Sequence, residues 1–319
     1  NGQIIRHKDF NKIFLNRLLI TRVQKVAHSA GYVPNQVAVS LRTGKTKVIC
    51  LIVEDFANPF FAAITSLIET KLREKGYQLV CSSAANDPPS TTKLIKKLSN
   101  GLVDGFFITP MPGIKKDIQM LVEMGMPVVL IDSNYQDLNI SHVLTDNKKG
   151  VDLGMQHFFK MGYRKILFVS LDYNMVQIQE RVKSYQFCMK EAGYKSKIIR
   201  LKYSDANHSN YELLKDVLQS YKPDAVFFAT NYLGIEGLEC IESLSLKIPE
   251  DIAVIVFDDH DVFRLYKPSI TVVEQSIEQI ISVAMDIMFE ILYKKSVPNT
   301  EAQLIKPNLI IRSSTKTKQ

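Results

Sequence analysis

KVICLIVEDFANPFFAAITSLIETKLREKG, residues 47–76, contains one complete strand-to-helix unit. Val48 to Val53 is an unbroken apolar run, the pattern of a parallel strand covered on both faces rather than a half-wet alternating one. Pro59 suits the first turn of the helix that follows, because its missing N–H would have no partner there, and Gly76 stops the helix after Lys75. The unit then repeats: strand 78–81, helix 91–98, strand 105–109, helix 114–124, strand 128–132. A second series starts near Asp146 with helix 150–161, strand 165–170, helix 177–192 and strand 196–201. It continues with helix 211–220, strand 225–229, helix 233–244 and strand 253–257. Strands alternating with helices at this spacing predict an α/β fold built on doubly wound parallel sheet, with ligands beyond the carboxyl ends of the strands.

Upstream of this body the character changes at GYVPNQVAVSLRTGKTK, residues 31–47. Pro34 pushes Val33 toward an extended conformation, Asn35 can cap a short helix over Gln36 to Leu41, and Gly44 ends it. Two turns are too few to hold alone in water, so such a helix is ordered only when something grips it. Charge divides at the same place. Residues 1–47 hold nine Lys and Arg against Asp9 alone, +8, whereas the remaining 272 residues hold 31 basic and 32 acidic side chains, −1. A basic end on a neutral body is the electrostatic footprint of a polyanion partner; a solvated tail is the plain alternative.

Composition narrows the class. With 319 residues, 46% hydrophobic and 23% charged, the chain can bury proper cores. No run of 18 apolar residues is present and the start lacks the apolar core of a signal peptide, so the expectation is a cytoplasmic protein without membrane spans. Cys50, Cys81, Cys188 and Cys240 lack CxxC spacing and are expected to be buried reduced thiols.

Tyr32-x-Pro34-Asn35-x-x-Ala38-x-x-Leu41, followed by a glycine and a hydrophobic strand, resembles the hinge of the lactose-repressor/galactose-repressor family of bacterial transcription regulators. The resemblance covers about residues 21 to 314 and implies two periplasmic-binding-protein-like lobes, each a doubly wound parallel sheet, preceded by a helical DNA-binding segment and a hinge helix. It divides the chain into a partial headpiece (1–32), a hinge (33–46), a first lobe (47–145 with about 275–300) and a second (146–274 with about 301–319). A helix from Gln275 to Leu292 would return to the first lobe and a strand over 309–312 would close the second. In such regulators a hinge leucine, here Leu41, wedges into the minor groove and trades base unstacking for a bent duplex; packing in an ordinary linker helix is the other role open to it. Arg22, Tyr32, Asn35, Gln36 and Ala38 are the further DNA-binding candidates. Residues 21–32 resemble the last headpiece helix and Asn1-Gly2 the end of the turn after the reading helix, but residues 3–20 match nothing in the family pattern. The reading helix would then lie upstream of Asn1.

The family's effector site maps onto strand ends. Phe60 and Phe61 can offer a ring to a sugar face or fill the core. Glu180-Arg181-Val182-Lys183-Ser184-Tyr185 resembles Arg-x-x-Gly-(Tyr/Phe) with Ser184 for glycine, and Arg181 has the planar donor fork for vicinal hydroxyls or a carboxylate. Without the resemblance, Arg181 reads as a surface arginine on an amphipathic helix. Thr230 and Asn231 can hydrogen-bond an effector or cap the next helix. Phe257-Asp258-Asp259 resembles Gly-Phe-Asp-Asp with Val256 for glycine, so Asp258 would accept from sugar hydroxyls, and Gln275 matches the interlobe crossing. Asp146 opens a stretch resembling Asp-Asn-x-x-Gly-Gly, in which Lys149 would favour an anionic effector if it faced the cleft and means nothing if it faces solvent, the preferred reading.

No P-loop, Gly-x-Ser-x-Gly or Gly-x-Gly-x-x-Gly occurs, and the acids beside His260 lack a second ligand cluster, so neither enzyme, cofactor nor metal is expected. The expected function is a homodimeric regulator that binds double-stranded operator DNA and senses a sugar-like effector, whether by repressing or activating. A transporter's solute-binding protein, or a sensor paralogue without DNA binding, are the rivals. No heptad of leucines follows Arg312, which speaks against a C-terminal coiled coil.

Overall fold

A computed structural model describes residues 19–27, 29–32, 35–84, 87–202, 209–294 and 302–318. The chain divides into two compact units, Asn1–Lys47 and Val48–Gln319. In the first, residues 19–27 form helix α1 and Gln36–Thr43 form α2. α2 extends past Leu41 and ends at Gly44, whose φ of +67° is the left-handed stop that glycine adopts freely. Most of the segment without a family match, residues 3–18, lies outside the described residues, as do Val33 and Pro34.

The second unit begins with β1 (Val48–Val53), α3 (Pro59–Glu74), β2 (Gln78–Ser83), α4 (Pro88–Leu98), β3 (Gly105–Ile108), α5 (Lys115–Glu123), β4 (Val128–Ile131) and β5 (His142–Thr145). It continues with α6 (Asn147–Lys160), β6 (Ile166–Leu171), α7 (Val176–Glu191), β7 (Lys197–Leu201), α8 (Ser209–Tyr221), β8 (Ala225–Phe228), α9 (Asn231–Ser243), β9 (Ala253–Phe257), α10 (Asp261–Leu265) and β10 (Thr271–Glu274). α11 (Ile277–Lys294), β11 (Gln303–Ile305) and β12 (Asn308–Ile310) complete it. Two six-stranded sheets result, β11-β5-β4-β3-β1-β2 and β12-β10-β9-β8-β6-β7. All neighbours run parallel except β12, antiparallel to β10.

The apolar runs earn this arrangement by burying both faces. Ile49, Leu51 and Val53 of β1 enter one core with α3 and α11, while Cys50 and Ile52 enter another with α4 and α5. β6 does the same in the second sheet, with Leu167 and Val169 on one side and Ile166 and Phe168 on the other. Such alternation between two cores is why these strands read as continuous rather than period-two hydrophobic.

Several boundaries differ from the sequence reading. α4 starts at Pro88 rather than residue 91, because Asp87 accepts the N–H of Ser90 and two prolines fit the first turn. α6 starts at Asn147 rather than residue 150, since Asp146 accepts the N–H of Lys149 at 2.8 Å. β5, β10 and α10 have four or five residues each, too short for a periodicity to register, and sheet pairing decides the two strands. β11 pairs with β5 in the first sheet, so the last passage between sheets follows Ile305 rather than residue 300. The polar tail also packs: Ser314 is fully buried and its Oγ donates to the Val254 carbonyl at 2.6 Å. Of the four free cysteines, Cys50 and Cys240 are buried, whereas Cys81 on the edge strand β2 is exposed and Cys188 half-buried, contrary to expectation.

The chain passes between sheets three times, after β5, β10 and β11, and the passages are bonded side by side. Thr145 Oγ1 donates to Gln275 Oε1, the N–H of Asp146 donates to the Ile305 carbonyl at 2.9 Å, and Ser276 Oγ donates to the Lys306 carbonyl at 3.0 Å. A relative movement of the lobes must therefore pivot here.

Helix α9 approaches its sheet so closely that a Cβ on Gly237 would lie 2.0 Å from Phe228 Cζ. Alanine gains up to about 1 kcal/mol of helix propensity over glycine, but overpacking a rigid core costs about 1–3 kcal/mol. Gly237→Ala is therefore expected to lower the urea midpoint of unfolding; a raised midpoint would contradict the packing described.

Candidate functional site

The carboxyl ends of β1, β4, β6, β8 and β9 converge on one cavity between the two sheets. Its centre is Arg181 on α7, 2% exposed. Nε donates to Asn147 Oδ1 at 2.8 Å, Nη1 donates to the Ala229 carbonyl at 2.6 Å and lies 3.6 Å from Asp258 Oδ2, and the guanidinium stacks 3.6 Å above the Phe257 ring. A charge so buried persists only when its donors are met, and the four partners come from three separate chain segments, Phe257 and Asp258 being neighbours at the end of β9. Asp258 in turn accepts from Gln275 Nε2 at 2.6 Å, which links the cavity to the first passage between sheets through Thr145.

Asp258 follows β9 with a φ of +73°, and Asp132 follows β4 with a φ of +71°. Aspartate tolerates this left-handed turn better than most residues, and in each sheet the turn sets a carboxylate at the strand end. Asp132 Oδ2 accepts from Gln177 Nε2 at 3.2 Å, and Glu54, at the end of β1, accepts from Tyr173 Oη at 3.3 Å. Asn231 Nδ2 donates to Asn58 Oδ1 at 3.1 Å. All three bonds join the two lobes, leaving an interior volume of about 50 Å³ beside an outer pocket of about 320 Å³. Clefts that enclose ligands have roughly 300–1,000 Å³, so the interior is the closed end of the site and the outer pocket its mouth.

Burial pushes the Asp132 carboxyl up to about 7, with Arg181 opposing and Asp258 and Glu54 reinforcing the rise. Burial likewise raises Glu54, and raises Asp258 against the pull of Arg181 and Gln275. Thr230 Oγ1 and Gln177 Oε1 are buried with no protein partner.

Phe60, Phe61, Arg181, Thr230, Asp258 and Gln275 line the cavity. Asn231 is buried beside it, bridging to Asn58 and accepting the N–H of Tyr232. Asp146 does not line it: it caps α6 and borders a separate pocket with Phe187 and Leu304. Its neighbour Asn147 supports Arg181 instead. Lys149 is half-buried and does not line the cavity. The acids near His260 have separate partners, Asp259 in Arg312 and Asp261 in Arg264, while His260 Nδ1 accepts the N–H of Val262. The two glycine replacements are accommodated. Ser184 Oγ donates to Asp152 at 2.7 Å, tying α7 to α6, and Val256 occupies space that Gly234 leaves free, where a Cβ would lie 2.6 Å from Val256 Cγ1.

The reading from residues missed Glu54, Asp132, Tyr173 and Gln177. The first two sit directly after apolar runs, which is the position the strand-end rule singles out. Tyr173 and Gln177 carry no comparable signal, since only the facing of the two sheets brings them in.

In the first unit, Arg22, Tyr32, Asn35, Ala38 and Leu41 are exposed, Leu41 to 83%, and the side chain of Gln36 lies outside the described residues. No helix among the described residues is long and apolar enough to cross a membrane.

Residues 155–315 match the family model of the periplasmic binding protein-like domain. The chain is 27% identical over 297 residues to the HTH-type transcriptional regulator PtxS of Pseudomonas plecoglossicida, covering 92% of this chain and 86% of that protein. Among solved structures it resembles the lac repressor dimer bound to operator and an anti-inducer (TM-score 0.81, 18% identity, 93% of this chain and 89% of that one). It also resembles a LacI family transcriptional regulator from Enterococcus faecium with bound ribose (TM-score 0.75, 20% identity, 85% and 100%).

The raised Asp132 carboxyl has a thermodynamic signature. Its folded pKa of about 7 exceeds the ordinary value near 4, so the folded state holds more protons in between and stability falls as pH rises from about 4 through 7. Glu54, Asp258 and Arg181 face the same carboxyl and set the size of the effect. Asp132→Asn removes that penalty while keeping an acceptor for Gln177. The difference in melting temperature, variant minus parent, should grow between pH 4.5 and 8; a difference independent of pH would show that Asp132 is ionised throughout.

Proposed function

The chain belongs to the periplasmic-binding-protein-like family, in its lactose-repressor/galactose-repressor branch, and from that premise we propose that it is a transcription regulator whose two lobes close on a small, hydroxyl-rich effector. The observation that carries this reading is the run of bonds from Thr145 through Gln275 and Asp258 to Arg181, which joins a ligand-sized cleft to the passages about which the lobes pivot. An effector that replaces the bonds Glu54–Tyr173, Asp132–Gln177 and Asn58–Asn231 with its own hydroxyls would bind one lobe angle better than another. Only such differential binding moves the equilibrium. Two copies would act together on a two-fold operator, with the basic segment, α2 and Leu41 on the DNA side. Sugars are the effector class favoured by the donor and acceptor lining, by the aromatic rings of Phe60 and Phe61, and by the ribose bound to the similar Enterococcus regulator.

Thermal unfolding against neutral sugars, amino sugars, sugar acids and nucleobases, paired with operator binding by fluorescence anisotropy, tests this. A true effector present at a hundredfold its Kd should stabilise the protein by about 2.7 kcal/mol and shift DNA affinity in the same experiment. A ligand that raises the melting temperature without changing DNA affinity would count against a regulator. Leu41→Ala should weaken operator binding at least tenfold while leaving stability within about 0.5 kcal/mol, because the side chain is already in solvent. Unchanged DNA affinity would remove Leu41 from the interface.

A further inference from the structure

Three carboxyl groups, Glu54, Asp132 and Asp258, share the closed end of the cleft with a single cation, Arg181, and no lysine lines it. Two of that cation's three nitrogens are already engaged. Its Nε serves Asn147, its Nη1 serves the Ala229 carbonyl and Asp258, and its face lies on Phe257. Glu54 and Asp132 are left with one neutral donor each, Tyr173 and Gln177, at 3.3 and 3.2 Å. Buried carboxylates supported so thinly are costly, and the only charge that offsets them is the pull of Arg181 on Asp132, which Arg181 shares with its closer contact to Asp258. A second observation marks the same space as one that expects a ligand. Thr230 is 5% exposed, its Oγ1 has no partner, and it lines the cavity with them.

Resting on the effector reading above, we propose that the ligand taken up between the lobes carries a protonated amine beside its hydroxyls, as an amino sugar or aminated polyol does, and that Glu54 and Asp132 are its counter-charges. The ammonium provides three donors for acceptor-only groups, and its charge relieves their mutual repulsion. Thr230 Oγ1 and Gln177 Oε1 take adjoining hydroxyls. The rings of Phe60 and Tyr173, one from each lobe, line the same space and add favourable faces for a cation. The mouth has the same sign: Asp259 and Asp261 are paired with Arg312 and Arg264, but Glu274 and Glu278 stand there without an ion pair among the described residues, so the approach favours cations over sugar acids and phosphates. Lys149, whose facing the cleft would have favoured an anion, stands outside the cavity.

Calorimetric titration of the full chain with matched hexoses tests the charge preference. In the gluco, galacto and manno series, the 2-amino-2-deoxyhexose, its N-acetyl form, the parent hexose and the hexuronic acid differ chiefly in charge. In at least one series the free amine should bind ten times or more tighter than the parent hexose and the N-acetyl form, with no binding of the acid. In the Glu54→Gln/Asp132→Asn double variant, with its fold checked by circular dichroism, the ratio of amine to hexose affinity should fall to about one. A parent hexose or hexuronic acid that binds as tightly as its amine overturns the charge assignment and leaves the sensor reading intact. Failure of every amine to bind overturns the assignment as well, and the sensor reading is then decided by the coupling of ligand and operator binding described above.

Discussion

A guanidinium removed from water must find its hydrogen bonds inside the protein, and the requirements of Arg181 organise the second unit of this molecule. Its partners are drawn from the start of α6, the end of β8 and the end of β9, and its flat face needs the Phe257 ring. None of these segments can shift alone without leaving a buried charge or carbonyl unmet, a loss of several kcal/mol. The second lobe therefore presents a rigid wall to the cleft. The first lobe presents Glu54, Asn58 and Asp132, each held across the gap by one neutral hydrogen bond. A stiff wall facing a lightly tethered one is the mechanical condition for a cleft that opens at its passages.

The passages themselves explain how a small contact can have a distant consequence. Thr145 and Gln275 belong to two different crossings and are bonded to one another, and Gln275 also holds Asp258. A ligand that alters the surroundings of Asp258 therefore acts on the crossings directly, without a chain of intermediates. The matching left-handed aspartates after β4 and β9 place one carboxylate on each side of the gap. This gives the site its symmetry of position, while Arg181, present on one side only, gives it an asymmetry of charge.

Much of this was legible from residues. The apolar runs Val48–Val53, Ile166–Leu171, Ala225–Phe228 and Ala253–Phe257 are strands because each buries both faces, and that property is written in composition alone. The lining roles of Arg181, Thr230, Asp258 and Gln275 came from motif resemblance, since an arginine on a helix or a threonine at a helix start has no distinctive sequence mark. Asp146 shows the limit of that transfer: it is the cap of α6, and the residue after it turns inward to support Arg181.

The sequence by itself determined most of the alternating strands and helices, their parallel-sheet class and the basic character of the first 47 residues, because those follow from local hydrophobicity, turn chemistry and charge. Only the tertiary structure decided which carboxyls share a cavity, that Arg181 is the one cation among the described residues lining it with them, and that β11 stays with the first sheet while β12 crosses to the second. The reason is physical. Glu54, Asp132 and the Tyr173–Gln177 segment are far apart in the chain, and although the first two follow apolar runs, their chemistry arises from mutual burial, which no one-dimensional pattern records.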